Sequence, residues 1–346
     1  LLLGCLLDPV DGSRQFIARA VPPSFVYSNN SVAIDCCRSG GYRAPVGLAE
    51  AEVPEVIDGQ IAVIGLGRMG AAMADTLSRS GFELILWNRS GDVAERVAAD
   101  IGATVADTPA AAAAPAAVVV SSLADDSALE AVHLDGEGTV AGVRPGTVVV
   151  ETSTVAPETI RRLAPEFERR GAHLLDAPVS GSVGLVAQGA LTSMVGGDAG
   201  ALERARPVID ALSRAVFHMG ASGSGATMKL AVNALVHAIN VALSESLVLA
   251  EAGGIERSLA YEVFANSAAG SPFVQYKRPA FESPDETPVA FSLDLVAKDL
   301  RLILGLADRL GVPMAQGAVN AAVANVAIEA GLGGADMSAL AVHLRG

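Results

Sequence analysis

The apolar positions of this chain fall into three regimes. Up to about residue 57 they are isolated among Pro22-Pro23, Asn29-Asn30 and Gly40-Gly41, with no sustained period of two or of 3.6. Residues 1–57 therefore read as a disordered extension, or as sequence outside the folded protein, and carry no functional assignment. From Gln60 the pattern sharpens. Ile61, Ala62, Val63 and Ile64 form a short, unbroken run rich in β-branched side chains, as in a strand buried on both faces. Residues 67–80 then take a helical period that stops at Gly81. The alternation repeats with a strand at 82–87, a helix at 93–100, and strands at 117–122 and 147–150. Short apolar strands alternating with helices predict a parallel sheet covered by helices on both faces.

Beyond residue 222 the pattern lengthens. Residues 227–252 read as one helix whose charged side chains are Lys229, Glu245 and Glu251, before the stop at Gly253-Gly254. A helix apolar on most faces needs cover on several sides, from another domain or another subunit. Further helical patterns run over 258–267, 291–310 and 314–330. The fold class is thus α/β. A doubly wound, Rossmann-like domain at 58–221 is followed by an all-α domain at 222–346, joined by the long helix. That helix also predicts a homodimer or homotetramer.

Composition narrows the partners. The net charge of −14 opposes nucleic acid or an anionic membrane surface, which both call for clustered Lys and Arg. A small anionic substrate then needs a local positive site. The three cysteines, Cys5, Cys36 and Cys37, leave the rest of the chain without a disulfide or thiolate site, which predicts a reducing, cytoplasmic setting. The apolar run at 1–7 is far short of the roughly 20 residues that cross a bilayer. His133, His173, His218, His237 and His343 are scattered without ligand spacing, so no metal is expected.

Gly65-Leu66-Gly67-Arg68-Met69-Gly70 fits G-x-G-x-x-G directly after a strand and at the opening of a helix. The first glycine allows the tight turn, the second lets backbone approach a pyrophosphate, and the third lets helix and strand pack closely. The helix N-terminus then offers free N–H groups to the phosphates of a bound dinucleotide. At the end of the second strand stand Asn88, Arg89 and Ser90, with no acid to hold a 2′-hydroxyl. Arg89 can pair with a 2′-phosphate, and Asn88 and Ser90 can donate hydrogen bonds, which favours NADP over NAD. The other reading of Arg89 is a solvated loop charge.

Two later stretches carry chemistry: Asp176-Ala177-Pro178-Val179-Ser180-Gly181-Ser182, and the segment from Gly223 to Asn233. Lys229 and Asn233, four apart, share one helix face. A lone lysine on an apolar helix either serves chemistry or reaches a carboxylate of the other domain. Phe273, Tyr276 and Lys277 either shape a pocket or simply pack.

Together with Glu151-Thr152-Ser153-Thr154 and Lys298-Asp299, these motifs resemble the β-hydroxyacid dehydrogenase family, which includes 3-hydroxyisobutyrate dehydrogenases and tartronate semialdehyde reductases. The resemblance covers about residues 60–345. It implies Lys229 as general acid/base and Asn233 holding the substrate. It implies that Ser180, Gly181 and Ser182 meet a substrate carboxylate, that Leu123 and Thr154 border the nicotinamide, and that Lys298 reaches the cofactor. Ser182 stands where the family usually has glycine, and Ala124 where it often has proline. The implied reaction moves a hydride between NADP (or NAD) and an aldehyde or keto carbon while Lys229 handles the proton. A lysine at its ordinary pKa of about 10.4 is a poor base, so burial and the charge of the oxidised nicotinamide are expected to lower it.

Three rivals share or mimic this scaffold. 6-Phosphogluconate dehydrogenases use His and Glu where this chain has Val232 and Val236. Imine reductases typically carry Asp or Tyr at the position of Lys229. A non-catalytic NADP-binding module leaves the Lys229/Asn233 pair unexplained.

Overall fold

A computed structural model describes residues 59–346. The extension assigned to residues 1–57, with its three cysteines, lies outside them. The chain opens with β1 (Gln60–Ile64), α1 (Arg68–Arg79), β2 (Leu84–Trp87), α2 (Gly91–Ile101) and β3 (Thr104–Val105). Next come α3 (Pro109–Ala113), β4 (Ala116–Ser121), α4 (Asp126–Leu134), α5 (Thr139–Gly142), β5 (Val148–Glu151), α6 (Pro157–Glu168) and β6 (His173–Asp176). These six strands lie in the order β3-β2-β1-β4-β5-β6, all parallel. That order reverses direction between β1 and β4, and in such sheets ligands bind in the crevice outside the carboxyl ends of the strands at this point.

The sheet continues through β7 (Val179–Ser180), α7 (Val183–Val186), β8 (Leu191–Gly196), α8 (Ala199–Leu212) and β9 (Ser213–Gly220). β8 runs antiparallel to β6 and β7, and β9 parallel to β8. The apolar pattern does not announce β9, because its sequence mixes Ser213, Arg214 and His218 among apolar residues. One face of the sheet packs on Met73 and Leu77 of α1, Ala94 and Ala98 of α2, and Leu202 and Val208 of α8. The other packs on Ala112 and Ala113 of α3 and on Ile160, Leu163 and Phe167 of α6. A chain poor in aromatics thus fills both layers with Ala, Val and Leu, and helices sit close to strands.

The remaining residues are helical: α9 (Ser224–Ala252), α10 (Arg257–Asn266), α11 (Pro272–Glu282), α12 (Leu293–Leu310), α13 (Ala315–Ala327) and α14 (Ala339–Arg345). A π turn at Ile328–Leu332 follows α13, kinked at Gly331. By length and composition α9 could cross a bilayer, with a mean hydropathy of 1.5 over its most apolar window. It is instead the axis of the helical half, with α10, α12, α13 and α14 packed on it. Its polarity is inverted relative to the expected all-round apolar helix. Asn233, His237, Asn240 and Ser244 are buried, while Leu235 and Leu249 are 65% and 74% exposed.

Residues 270–278 serve this helical core. Phe273 is buried among its apolar residues. The Lys277 ammonium lies 2.8 Å from each oxygen of Asp336, an ion pair that a buried lysine needs and that keeps it from lining a pocket.

Candidate active site

The turn after β1 is built by removing side chains. Gly65 has φ +86°, and a Cβ there would lie 2.4 Å from the carbonyl oxygen of Ser122. A Cβ on Gly70 would lie 1.9 Å from the carbonyl oxygen of Gly65, so only glycine lets α1 approach β1 this closely. Over Gly67 the space is open among the described residues, with none of their atoms within 4 Å of a would-be Cβ. α4, α8 and α12 are capped by the side chains of Asp125, Asp198 and Ser292, but α1 has no side-chain cap. Its N–H groups therefore face open space with a partial positive charge, which fits a dinucleotide pyrophosphate.

Around this turn the expected contacts divide. Asn88 holds the turn itself: its Oδ1 accepts the Leu66 N–H at 3.0 Å, and its amide donates to the Ser90 carbonyl at 3.1 Å. Asn88 thus latches the turn to the end of β2, with one amide N–H engaged by Ser90. Arg89 and Ser90 are exposed. The Arg68 guanidinium crosses to the helical half and donates to the Val289 carbonyl.

A second centre grows from the start of α9. The buried Asp176, at the end of β6, accepts the N–H groups of Gly223 and Ala226 at 2.9 and 2.8 Å. Burial pushes its carboxyl above the ordinary value, and those N–H groups pull against it. This bond brings the Asp176–Ser182 stretch to the N-terminus of α9. One turn further on stands Lys229, partly buried. Burial lowers its amine to about 8, the negative Asp299 opposing and the positive Lys298 adding to the drop.

Asp299, which the sequence marks only as the neighbour of Lys298, organises this centre. It is fully buried, and its Oδ2 accepts the Asn233 amide at 2.6 Å. The His237 ring lies 3.6 Å from the same oxygen, and the Lys298 ammonium 3.2 Å from the other. Burial by itself would raise the Asp299 carboxyl, yet His237, Lys298 and Lys229 together hold it below its ordinary value. An ionised carboxylate only accepts, so Asn233 must turn its NH₂ toward Asp299 and its Oδ1 away. His237 is one of the histidines without ligand spacing. The signal that finds it is spacing: 229, 233 and 237 form a ladder of polar residues every four positions on one helix face.

Residues 60–220 match the NAD binding domain of 6-phosphogluconate dehydrogenase, and residues 223–344 the NAD-binding region of NADP-dependent 3-hydroxyisobutyrate dehydrogenase. The NAD-dependent L-serine dehydrogenase of Pseudomonas aeruginosa is 37% identical over 249 residues, 70% of this chain and 83% of the relative. The chain belongs to the β-hydroxyacid dehydrogenase family. The 3-sulfolactaldehyde reductase of Escherichia coli is another relative, 32% identical over 82% of this chain and 95% of its own. A solved structure of Mycobacterium tuberculosis 3-hydroxyisobutyrate dehydrogenase with L-serine aligns with a TM-score of 0.73 at 30% identity, covering 83% of this chain and 99% of that one. Like its family, this chain is an NAD(P)-dependent oxidoreductase with a Rossmann-like half and a helical half.

The family frame sorts the other expected residues. Ser180 ends β7, Gly181 follows, and Ser182 precedes α7; no hydrogen bond among the described residues joins them to Lys229. Lys298 is a strut: its ammonium donates to the Thr154 carbonyl at 2.8 Å and the Ala124 carbonyl at 3.2 Å. It ties α12 to the turns after β4 and β5, the turns that carry Leu123 and Thr154. Among the described residues no group of three or more His, Cys, Asp or Glu could hold a metal ion.

Proposed function

We propose that this oxidoreductase interconverts a small β-hydroxyacid and its semialdehyde or keto form, with NADP preferred and Lys229 as general acid/base. The observation that carries the reading is Lys229 itself, an amine lowered to about 8 beside the buried Asn233–Asp299 pair. A group titrating near neutrality can both give and take a proton at useful rates.

The bound nicotinamide supplies or accepts the hydride. In reduction, Lys229 holds a proton at Nζ and gives it to the forming alkoxide; in oxidation its neutral amine removes the hydroxyl proton. Asn233, its NH₂ anchored on Asp299, turns Oδ1 to accept from the substrate hydroxyl or the Lys229 ammonium. Ser180 and Ser182, with nearby backbone N–H groups, receive the substrate carboxylate, the anionic end that distinguishes this substrate class. Arg89 receives the 2′-phosphate. The exposed Leu235 and Leu249 of α9 are covered by a second copy of the chain, which light scattering tests by showing a dimer or tetramer.

The deciding experiment is a substrate panel with NADPH and NADH in parallel, of glyoxylate, 3-sulfolactaldehyde and the succinic, tartronate and methylmalonate semialdehydes, together with L-serine in the oxidative direction with NADP⁺ and NAD⁺. Turnover of at least one, faster with NADPH, is expected. NADPH binding without turnover of any, or reduction of cyclic imines alone, overturns the reading.

A further inference from the structure

Glu151 takes no part in the chemistry above, yet it is a carboxylate only 1% exposed at the end of β5. Burying such a group demands compensation, and two of its partners, the Ser153 N–H and the Ser121 hydroxyl, stand at the carboxyl ends of β5 and β4. Its Oε1 accepts the Ser153 N–H at 2.8 Å. Its Oε2 accepts the Ser121 hydroxyl at the end of β4 and lies 3.1 Å from Nε2 of the fully buried His133 on α4. Ser153, so fixed, accepts the Leu123 N–H on its own Oγ at 2.7 Å. The turn after β5 therefore holds the turn after β4 through one hydroxyl. Leu123 in turn leans on the glycine turn, its Cδ2 lying 2.9 Å from where a Gly65 Cβ would stand. From the other side Lys298 bridges Thr154 and Ala124.

These turns lie at the carboxyl ends of β4 and β5, across the switch point from β2. A dinucleotide with its pyrophosphate over α1 lays its adenosine half toward β2 and its nicotinamide half over these turns. We propose that Glu151 and Ser153 are positioning residues for the nicotinamide half: a buried carboxylate fixes Ser153, and Ser153 fixes Leu123 beside the glycine turn. This rests on the dinucleotide-dependent reading above, but not on the identity of the substrate.

Ser153→Ala removes the acceptor for the Leu123 N–H and nothing else of size. The single tryptophan, Trp87, stands at the end of β2, where its carbonyl accepts the Gly65 N–H at 2.9 Å, so its emission reports binding in the crevice. The expected result is about a tenfold loss of affinity for NADPH, of the order of one hydrogen bond. Affinity for 2′-phospho-ADP-ribose, which lacks the nicotinamide, should stay unchanged, and the Tm of the ligand-free protein should fall by no more than the loss of that one hydrogen bond. Glu151→Ala should show the same split more strongly. Glu151→Gln should restore NADPH affinity to within about threefold of the natural chain, because its carbonyl keeps the Ser153 N–H. His133 can then accept the new NH₂ on Nε2 by carrying its proton on Nδ1, which has no partner among the described residues.

Equal loss for both ligands in Ser153→Ala overturns the proposal, and so does no loss for either, or a loss that merely follows a fall in Tm. A silent substrate panel sinks the proposed function and leaves this ligand pair still able to judge the clamp. An active panel with no split between the ligands sinks the clamp alone.

Discussion

Around Gly65, Gly67 and Gly70 the chain has stripped away its side chains, and the binding surface is backbone N–H and open space. On α9 and α12 the reverse holds: Asn233, His237 and Asp299 are packed inside, and the site is made of buried polar groups gathered on one carboxylate, with the ammoniums of Lys229 and Lys298 answering its charge. A site made of backbone and space is broken by added volume and is indifferent to charge. A site made of compensated charge is broken by isosteric changes that leave volume untouched. Substitutions of each kind in each region therefore test whether the contrast is real.

The largest effect is expected at Lys229. Lys229→Met keeps most of the volume and removes the proton carrier, and general acid–base groups contribute about 10²–10⁴-fold in rate. kcat should fall within that range while NADPH still quenches Trp87. Near-normal turnover would remove Lys229 from the mechanism and with it the chemical half of the contrast.

The glycine turn calls for the opposite treatment, added methyl groups. Gly70→Ala drives a Cβ into the Gly65 carbonyl, so α1 must move off β1. Overpacking of this kind costs about 1–3 kcal/mol, read as a lower Tm, with cofactor affinity lost alongside. Gly67→Ala meets nothing among the described residues, so Tm should hold while NADPH affinity falls. If both variants lose stability equally, the space above Gly67 is not a binding surface.

Legibility from the sequence follows the same divide. The turn was readable because its constraints are local: β1, the glycine spacing and the start of α1 are contiguous, Gly70 answers the carbonyl of Gly65, and Gly65 answers the end of the neighbouring strand. The parallel sheet was readable where strands are apolar throughout, as in Val118 to Val120 and Val148 to Val150, and not in β9, whose residues are mixed. The charged centre was only half readable. Lys229 and Asn233 stood out on an apolar helix, but their organiser, Asp299, lies 66 residues from Asn233 and on another helix. No spacing rule reaches that far. Asn88, marked by residue type, and Lys298, marked by the family resemblance, show the converse: in this fold their polar atoms hold turns.

Asp299→Asn sharpens the contrast by changing charge and almost no volume. With Lys229 near 8, oxidation needs the neutral amine, so its rate should rise as pH climbs through about 8 and then level. Reduction needs the protonated amine and should decline over the same window. The Asp299 charge supports the ammonium form, so its removal lowers the Lys229 amine further. Both limbs should then move to lower pH. A pH–rate profile that does not move would mean Asp299 is structural. A loss of Tm without a shifted profile would say the same.

Arg89→Ser is expected to have the smallest effect and decides the cofactor. Arg89 is exposed at the end of β2, and an exposed ion pair in water is worth about 0–1 kcal/mol. A 2′-phosphate carries more charge than a carboxylate and accepts several guanidinium hydrogen bonds at once, which raises that figure modestly. The NADPH/NADH preference should therefore drop by about three- to tenfold, entirely through weaker NADPH binding. NADH affinity should stay where it was, because a ribose hydroxyl gives Arg89 nothing comparable to hold. If the ratio does not move, Arg89 is a solvated loop charge and selectivity must come from Ser90 or the backbone of α2. In that case even cofactor choice belongs to the backbone side of the contrast.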